Sequence, residues 1–174
     1  ISLLRQLKEQ LSSLPNGTVF FFPADSEAEL RPHFPAHWEF SAQRGANLGD
    51  RLRQAMGAAF EAGAERVAVI GSDCPYVLVE DAEQAWRVLD KHDVVFGPAN
   101  DGGYWLVAAK QLHAGLFAGI DWGSASVLEQ SLARARNLGL KTALLRQLSD
   151  VDTERDWLGF LEWKRGGSSV RERG

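Results

Sequence analysis

The sequence predicts a three-layer α/β/α fold, in which helices cover both faces of a mixed but mainly parallel sheet. Short apolar runs typical of buried strands alternate with longer segments whose apolar residues recur at helical spacing. The links between these segments are short, as expected when successive strands and helices pack side by side. The composition, with 45% hydrophobic and 24% charged residues among 174, is that of a globular protein. We therefore expect one domain over residues 1–163 and a flexible tail, rich in Gly, Ser and Arg, over residues 164–174.

The first predicted elements are a helix and two strands. Leucines at helical spacing indicate a helix over residues 1–14, which the Pro-Asn-Gly turn at residues 15–17 would end. Residues 18–22 form an apolar run closed by Pro23 and predict a strand buried on both faces. Residues 37–42 predict a weaker strand.

A longer helix and the clearest strand of the sequence come next. Asn47 is a plausible N-cap for a helix over residues 48–62, and Gly63 would end it. The core face of this helix is expected to carry Leu48, Leu52, Ala55, Met56 and Ala59. Residues 66–71 then form an apolar run that predicts a buried strand.

The next elements include a strand that we expect to run against its neighbours. A helix over residues 79–91 leads to an apolar strand over residues 93–97. The loop over residues 98–103 leads to a strand over residues 104–109, which could run antiparallel to the others.

The last elements are a helix, a strand and a helix. Ser124 could cap a helix that runs to residue 137, and residues 140–145 predict a further strand. Thr153 is expected to cap a final helix that ends near Trp163.

Charge, cysteine count and hydropathy exclude several classes of protein. The net charge of −4 disfavours nucleic-acid binding, which needs a concentrated excess of Lys and Arg. Cys74 is the single cysteine, so an internal disulfide cannot form, and a reducing compartment, the cytoplasm, is favoured. No apolar run reaches the roughly 20 residues of a membrane span, and no signal segment opens the sequence.

Familiar catalytic motifs are also missing from the sequence. The four histidines share no metal-ligand spacing, which disfavours a zinc site. No Gly-x-Ser-x-Gly elbow is present, and Cys74 is expected to be a packed side chain rather than a nucleophile. No Gly-x-Gly-x-x-Gly follows a strand, which disfavours a Rossmann or flavodoxin-like domain.

Polar residues with possible chemistry follow the predicted strands at their carboxyl ends, where open α/β sheets bind ligands. Asp73 comes two residues after an apolar strand, and its oxygen atoms would suit Mg²⁺ or Mn²⁺ together with substrate phosphates. Asp101 precedes Gly102 and Gly103, a pair that allows positive φ and close approach of a ligand to the backbone. Asp152 lies beyond the last strand.

Each of these residues could also have a purely structural role. Asp73 could cap the helix that follows, and the two glycines could form an ordinary tight turn. Asp152 could belong to the start of the final helix; capping explains Thr153 well but explains Asp150 poorly.

Four motifs in order resemble a largely uncharacterised family of bacterial glycosyltransferase-A-like proteins. They are residues 43–52 (QRGANLGDRL), 71–75 (GSDCP), 97–106 (GPANDGGYWL) and 150–153 (DVDT), with 121–124 (DWGS) as a further match. More distantly, the pattern is similar to cofactor-biosynthesis nucleotidyltransferases, which also belong to the nucleotide-diphospho-sugar transferase superfamily. The resemblance covers residues 1–162.

The resemblance implies a metal-dependent transferase that acts on a nucleotide or nucleotide-sugar donor and a small-molecule acceptor. By analogy, Asp73 and Asp152 would bind Mg²⁺ or Mn²⁺, and Asp101 would orient or deprotonate the acceptor. The substrate-binding residues would be Arg51, Ser72, Gly102, Gly103 and Trp122. Arg51 could contact donor phosphates, or it could pair with Asp50 or another neighbour on the helix surface. Glycosyl transfer and nucleotidyl transfer use the same fold and the same kind of metal assistance, so the sequence leaves both reactions open.

Members of such families begin with a strand and a Gly-rich loop that carries basic residues for the nucleotide phosphates, and this sequence starts after that segment. We therefore expect the sheet to lack its first strand here. A second hypothesis is a binding or scaffold domain without catalysis. Nucleotide binding without turnover, or no binding, would indicate it.

Overall fold

The computed structural model describes residues 6, 8–9, 19–22, 26–36 and 38–171. In chain order the elements are β1 (Val19–Phe22), α1 (Glu27–Leu30), a 3-10 turn (Arg31–His33), β2 (Glu39–Ala42), α2 (Leu48–Glu61), β3 (Val67–Ile70), α3 (Val79–Leu89), β4 (Val94–Pro98), β5 (Tyr104–Ala109), a second 3-10 turn (Ala114–Phe117), α4 (Val127–Asn137), β6 (Thr142–Leu144) and α5 (Glu154–Arg171). Gln6, Lys8 and Glu9 are helical, and the rest of the helix predicted over 1–14 lies outside the described residues.

The main sheet has four strands in the order β3-β5-β4-β6. Strand β5 is antiparallel to both β3 and β4, whereas β6 is parallel to β4. Strands β3, β4 and β6 therefore run in one direction and end at the same edge of the sheet, and the antiparallel direction predicted for residues 104–109 is confirmed. Strands β1 and β2 form a separate parallel pair.

Two apolar clusters cover the two faces of the main sheet. On one face, Ala85 and Leu89 of α3 are buried with Val95 and Ala108. On the other face, helices α2 and α4 contribute side chains that pack on the alternate residues of the same strands: Leu52, Met56 and Ala135 with Val94, Phe96, Val107 and Ala109. Successive residues of a strand point to opposite faces, which is why one apolar run fills both clusters. The predicted three-layer α/β/α fold is confirmed.

Helix α2 begins as predicted, but one of its proposed core residues was wrong. Asn47 caps the helix, with its side-chain oxygen accepting the backbone N–H of Asp50 at 2.9 Å. Leu48 was expected in the core but is 49% exposed, because the buried face of the helix passes through Gly49 and Leu52 instead. The next residue, Gly49, is buried instead. Trp122 packs so closely against it that an added Cβ would lie only 2.6 Å from the indole Nε1.

The last two helices differ from their predicted bounds. Helix α4 begins at Val127 with Ser126 at the N-cap position, whereas the sequence suggested a start at Ser124. Helix α5 continues to Arg171, beyond the predicted end at Trp163. The flexibility of residues 164–174 stays a prediction. Among the described residues, no helix is long and apolar enough to cross a membrane.

Candidate functional site

Three loops meet at the edge where β3, β4 and β6 end. The backbone N–H of Val151 donates to the carbonyl of Asp73 at 2.9 Å, which joins the loop after β6 to the loop after β3. The N–H of Leu148 donates to the carbonyl of Pro98, and the N–H of Asn100 donates to the carbonyl of Leu148, both at 3.0 Å. The loop after β6 therefore lies between the other two and is bonded to each.

These loops bring four carboxylates together, which we call the acidic cluster: Asp73, Asp101, Asp150 and Asp152. The pKa of Asp150 is raised to about 6, first by burial and then by the negative charges of Asp73, Asp101 and Asp152. The three loops thus bring the charges of Asp73, Asp101 and Asp152 within range of Asp150. Asp73, Asp101 and Asp152 were predicted from sequence, and the structure places them in the same cluster.

Asp73 is exposed at the start of its loop and does not cap the following helix. That helix, α3, is capped instead by Asp81, whose Oδ2 accepts the N–H of Leu78 at 2.8 Å. The explanation of Asp73 as a helix cap is therefore wrong. Its carboxylate turns back toward Gly71, where a Cβ would lie 2.8 Å from Oδ1. Asp73 and the exposed Ser72 are thus free of the helix they precede.

The turn at Asp101 is fixed by its own side chain and by the segment before α4. Oδ1 of Asp101 accepts the N–H of Gly103 at 2.8 Å. Gly102 has φ of 91°, and a Cβ there would lie 1.8 Å from the carbonyl oxygen of Ala125. The N–H of Leu128 donates to the carbonyl of Gly102 at 2.9 Å. Of the two glycines in this turn, only Gly102 has the expected positive φ. It permits close contact with the backbone of Ala125. Ligand contact at Gly102 and Gly103 stays a prediction.

The segment over residues 121–126 is held by a polar network. Gln130 accepts the N–H of Asp121 at 2.9 Å and donates to the hydroxyl of Ser126 at 2.7 Å. Ser124 donates to the carbonyl of Asp121 at 2.9 Å, so its hydroxyl shapes this loop and does not cap a helix. This network fixes the backbone against which Gly102 packs.

Trp122, predicted to bind substrate, lies between α2 and β5. Its indole fills the space above Gly49 and meets Tyr104 edge-on, with ring centroids 6.3 Å apart. Trp122 therefore links the turn of the acidic cluster to helix α2. Trp105, the next residue of β5 after Tyr104, is only 1% exposed and donates from Nε1 to the carbonyl of Arg146 at 3.2 Å.

Arg51 is exposed on the first turn of α2. Its Nη1 donates to Oε1 of Gln43 at 3.4 Å, while Asp50 lies 4.0 Å from Arg53. Of the two partners considered for a surface role of Arg51, Asp50 or another neighbour, the structure thus shows a neighbour, Gln43. Its phosphate role stays a prediction.

Cys74 lies beside Asp73 but is fully buried. Its pKa is raised to about 12, mainly by burial and next by the charge of Asp150. A thiol that stays protonated is a poor nucleophile. Cys74 is thus a packed core residue, as its sequence context predicts.

Asp150 is the member of the cluster that sequence reasoning did not select. Its position just beyond the last strand and the poor fit to a capping role were the available signals. The matched motif drew attention to Asp152, two residues further on. Asp150 is half-buried whereas Asp152 is exposed, so Asp150 lies deeper in the site.

The donor set suits a hard divalent cation in chemical type. Carboxylate oxygens are the ligands that Mg²⁺ and Mn²⁺ prefer. Within the described residues, no three His, Cys, Asp or Glu side chains are arranged to hold a metal ion by themselves. Mg²⁺ is commonly held by one or two carboxylates together with substrate phosphates, and the exposed carboxylates of Asp73 and Asp152 are of the chemical type that such a shared site uses.

The fold and the acidic edge define a glycosyltransferase-A-like domain of the nucleotide-diphospho-sugar transferase class. The chain belongs to the bacterial family DUF2064, described as an uncharacterized protein conserved in bacteria, whose model matches residues 7–124. No functionally curated protein matches the sequence.

Solved structures with the same fold support this class. A candidate nucleotide-diphospho-sugar transferase from Desulfovibrio desulfuricans G20 is 31% identical, with a TM-score of 0.81 over 87% of this chain and 70% of its own. The 4-diphosphocytidyl-2C-methyl-D-erythritol synthase of Anaerococcus prevotii DSM 20548 is 11% identical, with a TM-score of 0.67 over 92% of this chain and 86% of its own. A CMP:2-keto-3-deoxy-manno-octonic acid synthetase complexed with CTP is 12% identical, with a TM-score of 0.63 over 97% and 88%. The last two show a shared fold alone.

Proposed function

We propose that this protein is a metal-dependent transferase that acts on a nucleotide or nucleotide-sugar donor and a small-molecule acceptor. The observation that carries the proposal is the acidic cluster at the carboxyl edge of the sheet, where Asp150 has its pKa raised to about 6 by burial and by the neighbouring carboxylates. This edge is also where ligands bind in open α/β sheets.

The charge of the cluster supports a metal requirement. Donor phosphates are anionic, and they would be repelled by carboxylates placed this close together. A bound divalent cation would neutralise both sets of charges and stabilise the phosphate that leaves the donor. Asp73 and Asp152 are the proposed ligands, because both are exposed members of the cluster.

The remaining residues have roles that follow from their positions. Asp101 is exposed on the opposite loop, where its carboxylate would orient the acceptor or take its proton. Ser72, after β3, would offer a hydroxyl to the substrate, and Gly103, after β4, would offer backbone without a side chain in the way. Arg51 lies on the first turn of α2 and is proposed to contact donor phosphate.

The test is calorimetry of the protein against a panel of nucleotides and nucleotide-sugars, each with and without Mn²⁺. Metal-dependent binding of one donor is expected, and Asp73→Asn is expected to abolish it. Asp90→Asn is the matched control, since Asp90 is an exposed, ion-paired carboxylate at the far end of α3.

The outcomes separate the two hypotheses on function. Binding followed by transfer of a sugar or nucleotide to an acceptor supports the transferase and names its donor. Donor binding without turnover supports a binding domain without catalysis. Binding that is indifferent to Mn²⁺ and to Asp73→Asn would contradict the proposal.

A further inference from the structure

One ion pair connects two of the loops that carry the acidic cluster. Arg146, just after β6, donates from Nε to Oδ1 of Asp81 and from Nη2 to Oδ2 of Asp81, both at 2.6 Å. Its Nη2 also donates to the carbonyl of Tyr76 at 2.9 Å. The guanidinium therefore binds a side chain of α3 and a backbone group of the loop after β3, 65 and 70 residues away in sequence.

Asp81 is suited to act as a fixed point for this contact. It is one of two buried polar or charged residues in the described part of the chain, and its side chain is 10% exposed. Oδ2 also accepts the N–H of Leu78, which fixes the carboxylate to the start of α3. A planar guanidinium that binds both oxygens of a held carboxylate has a defined direction as well as a defined position.

Arg146 is also fixed through its backbone. Its carbonyl accepts the indole N–H of Trp105, a core residue of β5. Two residues later, Leu148 packs beside the fully buried Cys74 and Val77. The loop after β6 thus leaves the core in a set direction before it reaches Asp150 and Asp152.

We propose that Arg146 and Asp81 are positioning residues, which fix the loop after β6 against the loop after β3 so that Asp150 and Asp152 face Asp73. The N–H of Val151, between those two aspartates, donates to the carbonyl of Asp73 and is the part of the contact nearest the cluster. The loop-holding role stands on these contacts alone. The consequence for metal binding rests on the proposed function.

The sole cysteine provides a direct measurement of this contact. Cys74 belongs to the loop after β3 and is fully buried in one apolar cluster with Leu148 of the loop after β6. Separating the two loops would expose the thiol to the reagent and so increase its reactivity. In Arg146→Met we expect the thiol to react with an aromatic disulfide reagent about tenfold faster or more at pH 8, since hydrogen bonds to charged groups are lost.

Metal affinity is the second measurement. Titration with Mn²⁺ alone, followed by electron paramagnetic resonance, is expected to show about tenfold weaker binding in Arg146→Met than in the unchanged protein. Arg146→Lys keeps the positive charge but cannot bind both oxygens of Asp81 as the guanidinium does. Its thiol reactivity and its Mn²⁺ affinity should therefore lie between those of Arg146→Met and those of the unchanged protein.

The control is Arg66→Met. Arg66 also pairs with an aspartate, Asp90 at 2.8 Å, and donates to a backbone carbonyl, that of Trp86 at 2.9 Å, but at the opposite end of α3. Arg66→Met removes the same type of contact far from the acidic cluster, so it should leave the thiol reactivity and the Mn²⁺ affinity unchanged. Urea unfolding of every variant separates local opening from a general loss of stability.

Asp81→Asn is a second variant in case Arg146→Met does not fold, because the amide oxygen can still accept from Leu78. Unchanged thiol reactivity in both variants, or an equal rise in Arg66→Met, would overturn the proposal. A faster thiol reaction with Mn²⁺ affinity unaltered would also overturn it. If the unchanged protein binds no Mn²⁺ while the thiol still responds, the proposed function fails and the loop-holding role remains.

Discussion

At the scale of single residues, Asp150 shows how a carboxyl group reports its surroundings. Its folded pKa of about 6 lies above the ordinary value of 3.8. A raised pKa means that the folded state holds the proton more tightly than the unfolded state. The stability this provides is complete below pH 3.8 and is lost as the pH rises through about 6. Ionised Asp150 therefore opposes folding at neutral pH.

Replacing this group should raise stability at high pH. We expect Asp150→Asn, in the presence of a chelator, to unfold at higher urea concentration than the unchanged protein at pH 8, by about 1 kcal/mol after allowance for the half-exposed position. The difference should shrink as the pH falls from 6 toward 4. Urea denaturation at several pH values measures it.

Asp156 provides the opposite case. Its pKa is lowered, mainly by bonds from the hydroxyl and N–H of Thr153, so its charged form stabilises the folded state above its ordinary pKa. Asp156→Asn should therefore be less stable than the unchanged protein at pH 8, with the loss fading in acid. If Asp150→Asn and Asp156→Asn were both more stable than the unchanged protein at pH 8, the causes given for the two pKa shifts would be contradicted.

Gly102 shows a residue whose replacement is blocked by backbone. Its φ of 91° and the carbonyl of Ala125 leave no room for a Cβ. We expect Gly102→Ala to lose more than about 2 kcal/mol of unfolding free energy. Gly123→Ala is the control, because a Cβ there meets nothing within 4 Å. Equal losses in the two variants would show that the contact with Ala125 is unimportant.

At the scale of elements, apolar periodicity located the strands and helices of the main sheet well, because buried strands need continuous apolar runs. The bounds of β5 were predicted without error, and those of β4 to within one residue. Leu48 was misplaced because Gly49, whose lack of a side chain makes room for Trp122, is the buried residue at the start of α2, and apolar spacing gives no weight to a glycine. The pairing of Arg146 with Asp81 was also invisible, since ion pairs across distant loops follow from tertiary packing and leave no local pattern.

The same limit applies to the acidic cluster. Position at strand ends was enough to suggest Asp73, Asp101 and Asp152, because strand direction places those ends at one edge. The burial of Asp150 depends on the exact path of the loop after β6. Helix-start chemistry also acts in this loop, where Thr153 and Asp156 bond reciprocally, and it obscured the role of the residues just before.

Helix α5 offers a prediction about local propensity. Gly159 lies inside this helix, and a Cβ there would meet nothing within 4 Å. We expect Gly159→Ala to raise the unfolding free energy by about 0.5–1 kcal/mol, because alanine loses less backbone entropy in a helix. Thermal or urea unfolding measures the gain, and a loss would indicate a contact that the glycine permits.

At the scale of the whole molecule, a ligand that binds only the folded state must stabilise it. Under the proposed function, Mn²⁺ at a hundred times its dissociation constant should add about 2.7 kcal/mol to the unfolding free energy. Asp73→Asn should lose this gain, whereas Asp90→Asn should keep it. Melting curves with and without Mn²⁺ measure the effect, and a gain of equal size in Asp73→Asn would place the metal elsewhere.

The bond between Val151 and Asp73 joins positions far apart along the chain. Contacts of this kind close large loops and form late in folding, after local helices and hairpins. During synthesis, the strands that flank Asp73 and Asp101 can pair well before the loop with Asp150 has been made. The site is therefore completed only after the loop with Asp150 has been synthesised, and a chain released before that point would keep strands β3, β4 and β5 but lack the full acidic cluster.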